Sequence, residues 1–140
     1  KLNESTYLNK IDVYFRENDN GIYQPRSLFI DLNNDNINKI RKSNLGNVVD
    51  NENFIGGGVS AAYNWAKGHY TEGAELIDHV MEQIREELEI CDSPQGFHLI
   101  HSIYGGCGSG LGSMILIKLR YAYPKLMSHL IGLFPSKYKM

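Results

Sequence analysis

The stretch Gly105-Gly106-Cys107-Gly108-Ser109-Gly110-Leu111-Gly112 is the part of this chain best suited to chemistry. Five of its eight positions lack a side chain, and an apolar run lies on either side. Residues 97–103 read as a strand before it and residues 114–121 as a buried helix after it. Glycines between a strand end and a helix start let backbone N–H groups converge on one anion, and the helix dipole adds positive potential at the same point. The guest that suits such a bend is a phosphate; a plain connecting loop is the alternative, since glycine also serves turn geometry. Two common phosphate loops are excluded by spacing. No lysine follows a glycine pair, and neither Gly106 nor Gly108 opens a series of glycines at n, n+2 and n+5. Phosphate would therefore be held by main-chain amides and hydroxyls, without a lysine clamp.

A second glycine-rich loop, Gly56-Gly57-Gly58-Val59-Ser60-Ala61-Ala62-Tyr63-Asn64, follows Phe54-Ile55, and two such loops in one chain argue for phosphate better than one. Asp31 ends an apolar strand and leads into Asn33-Asn34-Asp35-Asn36. Ligands of open α/β sheets lie beyond the carboxyl ends of strands, which places this cluster to meet a nucleotide or its magnesium. The alternative is that it caps a short helix over residues 37–42. Cys107 at a helix N-terminus, with His101 nearby, suggests a cysteine nucleophile. The elbow that presents such a nucleophile needs glycine two residues to either side, and Ser109 fills one of those places. His98 and His101 are three apart on a strand, so they point to opposite faces and cannot chelate one metal.

The elements that must position these groups follow from periodicity. Residues 11–15 alternate as a strand, Asn18-Asp19-Asn20-Gly21 carries turn chemistry with Gly21 able to take positive φ, and residues 25–30 supply a second strand. Residues 44–53 read as surface loop, and residues 65–70 as a loop held down by its aromatics. Thr71 is the expected cap of an amphipathic helix whose Leu76, Ile77, Val80, Met81, Ile84 and Leu88 recur at three and four. Ser93-Pro94-Gln95-Gly96 breaks it, Pro124 stops the helix after the glycine loop, and residues 127–134 form the next strand. This alternation predicts an α/β fold, a parallel sheet with helices on both faces.

Composition sets further bounds. With 140 residues, 42% hydrophobic and 21% charged, the chain suffices for one core. Lys+Arg 14 against Asp+Glu 16 leaves a net charge of −2, and no basic run interleaved with aromatics occurs, so nucleic acid is not an expected partner. The apolar runs are too short for a membrane span, which makes a membrane partner equally unexpected. Cys91 and Cys107 are too few for a disulfide framework or zinc ribbon and read as free thiols of a reducing compartment. A chain that opens on Lys1-Leu2-Asn3-Glu4 reads as cytosolic and as part of something longer.

Asn64-Trp65-Ala66-Lys67-Gly68-His69-Tyr70-Thr71-Glu72-Gly73-Ala74-Glu75-Leu76 resembles the tubulin family, on its β-tubulin branch. His101-Ser102-Ile103-Tyr104-Gly105-Gly106-Cys107-Gly108-Ser109-Gly110 resembles that family's signature glycine loop, Gly-Gly-Gly-Thr-Gly-Ser-Gly. Both motifs are highly specific, and the likeness runs from about Tyr7 to Ser136. It implies a Rossmann-like nucleotide-binding domain, incomplete at both ends, of which residues 1–140 are one part. The family's first strand and first phosphate loop would precede Lys1, and its base-binding helix, catalytic loop and acidic tail would follow Met140.

The resemblance implies GTP or GDP with Mg2+. Ser102, Gly105, Gly106, Cys107, Gly108, Ser109 and Gly110 would lie around the phosphates, Ala61, Ala62, Tyr63 and Asn64 toward the γ-phosphate, and Asp31 and Asn33 toward the magnesium. Departures from the family's pattern touch each group. Asn33 replaces a glutamate and Asn34-Asp35 a Pro-Gly; Ser60-Ala61-Ala62-Tyr63-Asn64 replaces Gly-Ala-Gly-Asn-Asn; Tyr104 replaces a glycine and Cys107 a threonine. They mark a divergent β-tubulin with altered nucleotide handling, because a thiol donates to phosphate far more weakly than a hydroxyl. The implied function is a GTP-binding structural subunit of cytoplasmic microtubules, partnered by an α-tubulin-like subunit in a heterodimer and polymer. Hydrolysis would be completed by a neighbouring subunit, no catalytic residue being expected in this chain. The alternative is a tubulin-like assembly or interaction module with weakened or lost nucleotide binding. The 140-residue piece alone is expected neither to bind GTP tightly nor to polymerise.

Overall fold

Turn chemistry at Asn18-Asp19-Asn20-Gly21 makes a hairpin in the computed structural model, which describes residues 11–136. Strand β1 (Phe15–Glu17) pairs antiparallel with β2 (Tyr23–Pro25), Phe15 opposite Pro25. Gly21 takes a φ of 74°, and Asn18 Oδ1 accepts from the N–H groups of Asn20 and Ile22. The strand expected at residues 11–15 begins only at Phe15, because Tyr14 N–H donates to the Ile11 carbonyl and closes a turn. The strand expected at residues 25–30 is interrupted. Ser27 N–H bonds back to the Pro25 carbonyl, and β3 (Phe29–Asp31) starts afresh in a different sheet.

β3 runs parallel to β4 (Phe54–Gly56), with Asp31 beside Gly56. β5 (Gly96–Ser102) runs parallel to β6 (Met127–Leu133), with His98 beside His129. The described strands form three two-stranded sheets, and helical crossovers join the partners of each parallel pair. Helices mixed with parallel strands make the molecule α/β, as the alternation implied. The β3–β4 crossover is α1 (Asn34–Arg41), followed by short 3-10 turns at Asn44–Asn47 and Asn51–Asn53. Residues 44–53 are thus more than a surface loop: Val49 is buried with Ile37 and Phe54, and buried Asn53 donates Nδ2 to Glu87 Oε1 at 3.0 Å.

Helices α2 (Trp65–Tyr70) and α3 (Glu72–Glu89) connect β4 to β5, and α4 (Gly112–Ala122) connects β5 to β6. The expected loop at residues 65–70 is a helix because Asn64 Oδ1 accepts from the N–H groups of Ala66 and Lys67. Thr71, expected to cap α3, instead donates Oγ1 to the Lys67 carbonyl at 3.0 Å and closes α2, so α3 starts without a side-chain cap. Its apolar stripe behaves as the periodicity predicts. Ile77, Val80 and Ile84 enter one core with Leu32 and Ile55 from the β3–β4 side and Leu111, Ile115 and Leu119 from the β5–β6 side. On the outer face Arg85 lies between Glu82 and Glu89 and pairs with both carboxylates, which push its pKa further up. Arg16 reaches from the hairpin to Asp50 at 3.2 Å and to Glu87 at 3.6 Å, pinning β1 to the body.

Candidate functional site

At the carboxyl end of β5 the chain bends at Gly105, φ 89°, and enters a π turn, Cys107–Leu111, that runs directly into α4. The helix expected from residue 114 therefore begins earlier, headed by a wide turn of a kind often found at functional sites. The first turn of any helix leaves N–H groups without intrahelical partners, and here they project from residues with little or no side chain. That is the geometry an anion requires.

The two glycine-rich loops meet only in part. Residues 61–64 pack on the bend so closely that a side chain on Gly106 would place its Cβ 2.4 Å from Ala61 Cβ. Gly56, Gly57 and Gly58 instead border a separate cavity of about 190 Å3 that also carries Glu72 and Glu75, carboxylates that repel an anion. Asp31 approaches from the end of β3 and meets the Cys107 thiol. Ser102, Gly105, Gly106, Cys107, Gly108, Ser109, Gly110 and Ala61 to Asn64 thus form one neighbourhood with Asp31.

Within it the polar side chains have definite work. Ser109 donates its hydroxyl to the Gly105 carbonyl across the bend, and Ser102 Oγ accepts from Tyr104 N–H at 3.1 Å. Asn64 is the α2 cap. Asp31 Oδ1 accepts from Asn33 N–H at 2.8 Å and Oδ2 from Asn36 Nδ2 at 3.1 Å. Asn33 Oδ1 accepts from Asp35 N–H at 2.9 Å, so this asparagine caps α1, the alternative that the sequence left open. Among the described residues no three His, Cys, Asp or Glu side chains converge to hold a metal. A hydrated magnesium needs only one or two carboxylates beside the phosphates, and Asp31, with lone pairs to spare, fits that role; Asn33 is already a cap.

Ala62 and Tyr63 adopt φ values of 46° and 61°. This left-handed backbone is costly for residues with a Cβ and easy for glycine and asparagine. Ala62→Gly should therefore raise stability by about 1 kcal/mol, read as a shift in the urea midpoint, because the relieved strain exceeds the entropy that glycine adds to the unfolded chain. A lower midpoint would mean that the backbone here is unstrained.

Burial pushes the Cys107 thiol up to about 11; the Leu32 backbone hydrogen bond pulls the other way, and the Asp31 carboxylate adds to the rise. His101 Nδ1 contacts the Ser102 carbonyl at 3.0 Å, and among the described residues no hydrogen bond joins its ring to the thiol. Both facts argue against a cysteine nucleophile. The folded value lies above the ordinary 9.0, so the thiol contributes stability below pH 9 that is lost as pH rises through about 11. Iodoacetamide labelling of Cys107, followed by peptide mass spectrometry, should show only about a thousandth of the limiting rate at pH 8. A midpoint below neutrality would restore the nucleophile.

Three residues given no site role by the sequence, although they lie in the run that carries the family resemblance, hold the site together. His69 Nδ1 lies 3.0 Å from the Gly110 carbonyl, which only accepts, so this nitrogen carries the proton. Its ring stacks on Trp65 at 4.7 Å, and Gly68 lets α2 approach the bend. The signal available was the run Trp65-Ala66-Lys67-Gly68-His69-Tyr70 itself, too short to show a helical period.

Comparison with known proteins gives concordant results. Residues 1–140 match the model of the tubulin/FtsZ family, GTPase domain. The chain is 46% identical over 134 residues to the tubulin beta-6 chain of Gallus gallus, covering 96% of this chain and 30% of that protein. It is 45% identical over 134 residues to the tubulin beta chain of Candida albicans, with the same coverage, and 46% identical over 129 residues to the tubulin beta-6 chain of Gossypium hirsutum, covering 92% and 29%. The chain thus spans about 30% of the length of these relatives.

Proposed function

Because the chain belongs to the tubulin/FtsZ family, matched along residues 1–140, we propose that it forms part of the guanine-nucleotide site of a β-tubulin-like structural subunit of microtubules. The observation that carries this reading is the π turn Cys107–Leu111 at the head of α4, against which residues 61–64 pack from a second loop. Its amides would hold the phosphates of GTP or GDP. Asp31 would hold the waters of a magnesium ion, which supplies charge neutralisation beside the phosphates. Hydrolysis would be completed elsewhere, with Asp31 turned to Asn33, Asn36 and the magnesium waters and His101 Nδ1 to the Ser102 carbonyl. A neighbouring, α-tubulin-like subunit would bring the missing group, and the protein would work in the cytoplasmic microtubule cytoskeleton. No helix among the described residues is long and apolar enough to cross a membrane.

Labelled GTP titrated into the full-length protein should bind saturably with micromolar or tighter affinity, of about −8 kcal/mol or better, and more weakly once magnesium is chelated. Absence of saturable binding would leave the second reading, an assembly module without nucleotide. The thiol at Cys107 and the bulk of Tyr63 and Tyr104 beside the bend favour that second reading.

A further inference from the structure

The packing of residues 61–64 on the bend brings two tyrosines together. The Tyr63 and Tyr104 rings lie 6.3 Å apart, tilted by 37°, and stand 82% and 55% exposed. Tyr104 directly precedes Gly105, and Tyr63 Cδ1 is 3.8 Å from the place a side chain on Gly105 would take. The pair is therefore an aromatic wall at the Gly105 end of the amide cradle. At the Cys107 end the boundary is the Asp31 carboxylate. A phosphate chain laid across the amides is bounded by rings on one side and, on the other, by the carboxylate that would hold the magnesium waters. Each added phosphoryl group brings negative charge that needs donors or a cation. Tyr63, Tyr104 and Ser109, at the Gly105 end of the cradle, supply no positive charge. The left-handed backbone at Tyr63 fixes where its side chain starts, and such backbone persists only where surrounding packing enforces it.

We propose that the Tyr63–Tyr104 pair limits the length of phosphate chain this site accepts, so that it selects nucleoside diphosphates over triphosphates. The proposal rests on the reading that the bend holds a guanine nucleotide. Its test is a titration of the full-length protein with fluorescent GDP and GTP analogues in magnesium buffer. The wild type binds the diphosphate more tightly by about tenfold or more. The double variant Tyr63→Asn, Tyr104→Gly brings the two nucleotides within about threefold of each other, and asparagine suits the left-handed position, so the loop folds. The double variant Tyr63→Phe, Tyr104→Phe keeps the wild-type ratio, because ring bulk and not the hydroxyl discriminates. Equal binding of both nucleotides by the wild type, or an unchanged ratio in the Asn/Gly variant, overturns the proposal and leaves the site reading intact. Binding of neither nucleotide by any of the three proteins overturns the site reading and the proposal together.

Discussion

Gly68→Ala lowers the stability of the protein by about 3 kcal/mol or more and abolishes saturable GTP binding. A Cβ at this position would lie 1.9 Å from the Gly106 carbonyl oxygen. That obstacle is backbone, so no rotamer change relieves the overlap; α2 and the bend must separate. Two effects oppose each other, since alanine inside a helix gains about 1 kcal/mol over glycine, but α2 is short and the clash outweighs that gain. Separation would also lengthen the 3.0 Å contact from His69 to the Gly110 carbonyl and lift Ala61 and Asn64 off Gly106. The expected result is a lower urea midpoint together with a flat nucleotide titration under conditions where the variant is still folded. Wild-type stability and binding in Gly68→Ala would show that α2 does not press on the bend.

The reason Gly68 matters was only half legible in the sequence. The glycine bend, the strand before it and the apolar stripe of α3 could be read directly, because long periodic runs and clustered glycines are strong local signals. The helix α2 could not, since Trp65–Tyr70 spans fewer than two turns and owes its existence to the Asn64 cap and to packing against the bend. Thr71 misled for a related reason. One residue separates α2 from α3, and its hydroxyl serves the end of the first helix rather than the start of the second. At Ala62 and Tyr63 residue type argues against left-handed backbone, so only the folded chain reveals it. The meeting of Tyr63 with Tyr104 and of Asp31 with Cys107 is tertiary, produced by the two parallel pairs sharing one core. Asn33 shows the converse: the short-range capping alternative, weighed against magnesium from residue types alone, is the contact observed.

Leu111→Ala costs about 3 kcal/mol, within the usual range for a buried leucine, and weakens nucleotide binding as well. Leu111 is 1% exposed and is both the last residue of the π turn and a member of the main core. Its Cδ1 lies 3.4 Å from where a side chain on Gly73 would begin, so the α3 backbone passes directly over it. That backbone cannot collapse into the space a truncated side chain leaves, so the cavity persists and its cost is felt in full. The same truncation loosens the point where the wide turn hands over to α4, which sets the direction of the amides of residues 107–109. Lys118→Ala, at an exposed position of the same helix, provides the contrast and should stay within about 0.5 kcal/mol of wild type. Urea unfolding of both variants, paired with GTP titrations, separates the possibilities. A large loss of stability with unchanged affinity would mean that the bend keeps its shape without the core beneath it, and that the anion site is rigid in its own right.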